Sequence, residues 1–127
     1  MDETKLRAPP IRVSLVDDDD LVRSSMSVLI NAADGFACVG AYANAEEAVE
    51  KVPLDPPDVL LMDINLPGMT GIECVEKLNT KLPDMQIIML TMFEDEEKVF
   101  DSLRAGAGGY LLKRTPQKQI HVAVKNP

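Results

Sequence analysis

Two uninterrupted apolar runs, "VLLM" at 59–62 and "IIML" at 87–90, restrict this chain more than any other feature. Successive side chains of a strand point to opposite faces, so a strand with one wet face alternates apolar and polar residues. A run without that alternation demands cover on both faces, as strands of a parallel sheet receive. Segments of helical period supply the cover. Between the strand at 11–16 ("IRVSLV") and a weaker one at 36–43, Val22, Met26, Leu29, Ile30 and Ala33 recur at helical spacing, and Asp34-Gly35 stops the helix.

The same alternation continues along the chain. Asn44 is a candidate N-cap with Glu47 three residues on, opening a helix that Pro53 ends. A third strand at 56–63 is followed by a helix from about Gly71 with Val75, Leu78 and Leu82 on one side. After the fourth strand at 85–91, a helix runs through Val99, Phe100 and Leu103 into "AGAGG". A short strand at 110–113 and a helix from near Pro116 complete a (βα)5 pattern. With right-handed crossovers, its compact form is an α/β doubly wound sandwich around a parallel sheet.

Composition narrows the function. The 127 residues suit one domain, and 46% hydrophobic content excludes disorder outside the first eight residues, "MDETKLRA". A net charge of −8 argues against nucleic-acid binding by this domain, which needs a basic surface. Cys38 and Cys74 are too few for a disulfide framework and read as reduced, near-core residues. No apolar run approaches the roughly 20 residues of a membrane span, and no signal-peptide core is present. A cytoplasmic location is therefore expected. His121 is the sole histidine, which excludes a multi-histidine metal site.

Chemistry concentrates at the carboxyl ends of the strands, where doubly wound sheets bind ligands. Strand 1 ends in Asp17-Asp18, strand 3 in Asp63, strand 4 in Thr91 and strand 5 in Lys113. Clustered carboxylates repel one another unless a cation compensates, and an all-oxygen ligand set suits Mg²⁺. Thr91 and Lys113 add a hydroxyl and an ammonium for an anion, and Asp63 can act as a nucleophile toward phosphorus. Singly, each has a plainer use. The "DDDD" run at 17–20 suits a helix N-terminus, and Asp63 alone suits a turn. Their joint placement at four strand ends is what carries weight.

From Ile11 to about Val124 the chain resembles the receiver domain of two-component response regulators. The motifs are "LVDDD", "DVLLMDINLPGMTGIE", "IIMLT" and "AGAGGYLLK", and "YLLKRTP" and "LTMFEDEEKVF" look most like the NarL/LuxR type. The resemblance implies a flavodoxin-like sheet of order 2-1-3-4-5, with a receiver domain at 9–125 and a flexible segment at 1–8. It implies that Asp63 accepts a phosphoryl group from a sensor histidine kinase. Asp18, Asp63 and the backbone carbonyl of Asn65 would ligate Mg²⁺ (or Mn²⁺), with Asp17 acting through water. Thr91 and Lys113 would hold phosphoryl oxygens, Thr91 and Tyr110 would form the switch, and Asn65 and Phe93 would set the lifetime of the phosphoryl group. The surface read by partners would be helix 4, strand 5 and helix 5, with possible homodimerisation on phosphorylation.

Three departures stand out. Arg114 follows the lysine where the family usually has proline, Met92 is bulky where a small residue is usual, and the last helix is short. With no output domain after Pro127, the expectation is a stand-alone receiver or a piece of a longer regulator whose missing domain binds DNA. A phosphatase of the haloacid dehalogenase type is the enzyme alternative, but it wants an acid where Asn65 stands. A flavodoxin-like binder would need a hydroxyl- and glycine-rich loop in place of "DDDD".

Overall fold

The computed structural model describes residues 9–64, 66–91, 101 and 103–112. In chain order these form β1 (Ile11–Val16), α1 (Asp20–Ala32), β2 (Phe36–Tyr42), α2 (Ala45–Lys51), β3 (Val59–Asp63), α3 (Gly71–Lys81), β4 (Gln86–Thr91) and β5 (Gly109–Leu112). All four strand pairings are parallel and the order is β2-β1-β3-β4-β5, as expected of a doubly wound, flavodoxin-like sandwich. The expected helix through Val99 and Phe100, the helix from Pro116 and the segment 1–8 lie outside the described residues, apart from helical backbone at 103–105.

The apolar runs are covered on both faces. Every residue of β3 is buried, and its side chains alternate between two cores. Leu60 and Met62 pack with Val16, Ile87 and Met89 against Ala45 and Ala48 of α2 and Cys74, Val75 and Leu78 of α3. Val59 and Leu61 pack on the other face with Val13, Leu15, Ile88 and Leu90 against Ile30 of α1. Each fully buried aliphatic side chain contributes about 1.5–3 kcal/mol. The expected inward face of α1 holds for Ile30 and Met26, but Leu29 is half out, because those two already fill the space above β1.

Local chemistry sets the boundaries. The Asn44 side chain accepts a hydrogen bond from the Glu47 amide at 2.8 Å, which caps α2, and Thr70 caps α3 by accepting from the Glu73 amide at 3.1 Å. A 3₁₀ turn over Val52–Leu54, carrying Pro53, ends α2. The third strand begins at Val59 rather than at 56, because Pro56 and Pro57 have no N–H to give a ladder. The Asp58 amide donates to the Arg12 carbonyl at 2.9 Å, and the Arg12 guanidinium reaches the Pro56 carbonyl at 2.9 Å.

The β1–β2 register slips between Val13 and Ser14. Cys38 pairs with Val13 and Gly40 with Ser14, which leaves Val39 as an unpaired bulge residue. Phe36 and Cys38 consequently pack against the α1-side core, whereas Tyr42 packs against the α2/α3 side.

Gly71 opens α3 directly beneath the end of β3, and a Cβ there would collide with the Asp63 carbonyl oxygen. Both groups belong to regular backbone and cannot turn aside. Gly71→Ala is expected to cost about 1–3 kcal/mol, read as a lower urea midpoint. The two cysteines are free, as anticipated, Cys38 being partly and Cys74 fully buried. Burial, with a smaller contribution from Glu46, pushes the Cys74 thiol up to about 12 from an ordinary 9.0. The unfolded thiol therefore ionises first, so stability falls as pH rises between about 9 and 12. That fall should be shallower in Cys74→Ala, measured by urea unfolding across the same range.

Candidate functional site

Parallel pairing of β1 with β3 puts Val16 opposite Met62, so the next residues, Asp17 and Asp63, leave the sheet side by side. This is where the strand order reverses, with helices leaving to opposite faces. Asp17, Asp18 and Asp63 each offer a carboxylate oxygen, and these three atoms lie within 4.8 Å of one another. Asp17 is 1% and Asp63 3% exposed, whereas Asp18 is open to solvent.

The "DDDD" run divides into two functions. The Asp17 amide donates to the Tyr42 carbonyl at 3.1 Å, and Asp17 Oδ1 accepts from the Asp19 amide at 2.9 Å. Asp19 turns away from the cluster and caps α1, with Oδ1 accepting from the Leu21 and Val22 amides at 2.9 and 3.1 Å. Asp20 lies in the first turn and pairs with Arg23. Arg23 also donates from Nη1 to the Asp17 carbonyl at 2.8 Å. The sequence motifs passed over Arg23, although its position three residues after Asp20 on one helix was a usable signal.

Register orders the other expected residues. Asp63 pairs with Leu90, so Thr91 stands one step further along the adjacent strand, and Thr91 in turn pairs with Leu112. Tyr110 lies on β5 opposite Met89 and is 43% exposed. Lys113, Asn65, Phe93, Met92 and Arg114 lie outside the described residues, as does the side chain of Thr91.

Three carboxylates in one cluster, two of them buried, form a hard, all-oxygen donor set of the kind that suits a cation. A divalent ion of the Mg²⁺ type, which needs few protein ligands and keeps several waters, fits that set. A cleft of about 400 Å³, whose lining includes Pro56, Pro57, Asp58, Lys81, Pro83 and Asp84, opens at the opposite, amino-terminal end of β3 and β4.

If the cluster binds Mg²⁺, the ion should raise stability by about 2.7 kcal/mol at roughly a hundred times Kd. In a thermal melt, Asp17→Asn should raise Tm in EDTA by relieving repulsion, and should shrink the Mg²⁺-dependent rise.

A family model described as the response regulator receiver domain matches residues 13–125. The oxygen regulatory protein NreC of Staphylococcus epidermidis is 37% identical over 116 residues, covering 91% of this chain and 53% of that protein. The chain thus spans about half the length of the curated relatives it matches. A LuxR-family two-component response regulator from Aurantimonas superposes with a TM-score of 0.86 at 31% identity, over 91% of this chain and 83% of that one. The receiver domain of the response regulator NarL from Mycobacterium tuberculosis has the same fold, with a TM-score of 0.85 at 23% identity over 94% and 100% of the two chains.

Proposed function

The chain belongs to the response regulator receiver domain family, and we propose that within it Asp63 is the phosphoacceptor. The observation that carries this is the convergence of buried Asp63 with Asp17 and Asp18 at the β1/β3 switch point. A sensor histidine kinase presents a phosphohistidine. An Asp63 carboxylate oxygen forms a bond to phosphorus, the phosphorus–nitrogen bond breaks, and the imidazole leaves with the electron pair and takes a proton from water. The product is an acyl phosphate on Asp63.

The residues divide the work. Asp18, Asp63 and the Asn65 carbonyl would hold Mg²⁺ (or Mn²⁺), and Asp17 would act through water. When bound, the ion neutralises charge on the phosphoryl oxygens, which in a loose transition state is mostly an electrostatic task. Thr91 donates a hydrogen bond to one phosphoryl oxygen and Lys113 supplies a positive charge to another. Burial of Asp63 excludes bulk water from the acceptor and so lengthens the life of the acyl phosphate, with Asn65 and Phe93 modulating it.

The output is conformational. Thr91 moves toward the phosphoryl group and Tyr110, now half exposed on β5, turns into the space it leaves. The face so altered, over residues 94–124, controls transcription through a DNA-binding domain and supports dimerisation on phosphorylation. The greater length of the curated relatives supports the existence of that second domain. The domain spans residues 9–125 and works in the cytoplasm. No helix among the described residues is long and apolar enough to cross a membrane.

Labelling with acetyl phosphate in Mg²⁺ tests the proposal. Wild-type chain should take up one hydroxylamine-labile phosphoryl group, and Asp63→Asn should fall to background. Undiminished labelling of that variant would overturn the assignment.

A further inference from the structure

We propose that Arg23 is a positioning residue for the acid pair, bracing the backbone that aims Asp17 and Asp18 at the cation; this rests on the receiver reading above. β1 stops pairing with β3 at Val16, so the Asp17 carbonyl lies past the end of that ladder. The Arg23 guanidinium takes that carbonyl at 2.8 Å, six residues along the chain and one turn into α1. Its second nitrogen, Nη2, pairs with Asp20.

The helix turn that carries the fork is itself fixed at its backbone. The Arg23 amide donates to the Asp19 carbonyl at 2.9 Å, and the Ser27 hydroxyl donates to the Arg23 carbonyl at 2.8 Å. The Arg23 side chain is only 20% exposed although its Asp20 partner is 90% exposed, so the guanidinium lies along the loop rather than out in water. An exposed ion pair of this kind adds little stability by itself. Its effect is geometric, because it fixes the plane of the guanidinium that grips Asp17.

Asp17 is thereby held at three atoms. Its amide goes to β2, its Oδ1 to the Asp19 amide and its carbonyl to Arg23. The last contact comes from a side chain of α1. That grip favours the arrangement that a divalent ion requires, and partners of this outer kind typically change metal affinity about tenfold or more. Lysine would not substitute, since a single nitrogen lacks the planar fork that spans two acceptors.

The test is calorimetric titration of the chain with MgCl₂ alone, alongside acetyl phosphate labelling. Arg23→Gln should weaken Mg²⁺ binding by about tenfold, and Asp20→Asn, which keeps the arginine but frees it, should weaken binding by less. At saturating Mg²⁺ both variants should label as fast as wild type, a recovery that a general loss of structure would not allow. Affinities indistinguishable from wild type would overturn the proposal, as would a labelling defect that persists at saturating Mg²⁺. Should Arg23→Gln lack the far-ultraviolet signature of the fold, Asp20→Asn decides alone. Asp63→Asn separates the two readings: if it abolishes labelling while the Arg23 and Asp20 variants behave as wild type, the receiver assignment stands and the brace falls. A wild-type chain that neither binds Mg²⁺ nor labels overturns both.

Discussion

Like charges do not gather unless something stronger holds them, and here the holding is done by the parallel pairing of β1 with β3. Val16 faces Met62 in the ladder, and both side chains are completely buried. The residues that follow, Asp17 and Asp63, have no freedom to separate, because each continues a strand fixed by apolar contacts on both faces. Repulsion among the carboxylates is thus opposed by the whole sheet. That repulsion is what would favour a small divalent ion over a neutral ligand at such a cluster.

Around this point the supporting contacts reach both the backbone and the carboxylate of Asp17. The Tyr42 carbonyl, the Asp19 amide and the Arg23 guanidinium meet Asp17 at its amide, carboxylate and carbonyl respectively. On the β3 side, the Ile64 amide donates to the Leu90 carbonyl at 3.1 Å, which keeps the chain in line with β4 one residue past Asp63. Gly71 lets α3 start against the Asp63 carbonyl. The carboxylates are therefore presented by stiff supports at their bases while their outer oxygens face one another.

Much of this was legible in the residues. The runs at 59–62 and 87–90 announced a sheet buried on both faces, and its strand ends located the acidic cluster before any distance was known. Capping by Asn44 and the onset of α3 at Gly71 followed from side-chain chemistry local enough to read directly. The division of "DDDD" was legible only in part: a helix cap and a metal ligand are the same residue type, and only the turn after β1 tells them apart. The spacing of Arg23 from Asp20 was legible as a helix-surface pair, but its grip on the Asp17 backbone carbonyl carries no sequence signal. The bulge at Val39 was invisible for a related reason, since "FACVGAY" has no residue that demands it.

That bulge bears on a different hazard. β2 is the end strand of the described sheet, and its seven residues include no charge and no proline. An uncharged, apolar edge invites a strand from another molecule to continue the sheet. The inner edge of β2 keeps step with β1 for three residues, Phe36 to Cys38, and then skips one. A bulge bends its strand and increases its local twist, so the outer edge departs from the straight template that a newcomer needs. The extra residue at Val39 thus acts as a guard against edge-to-edge aggregation in a strand whose composition offers none.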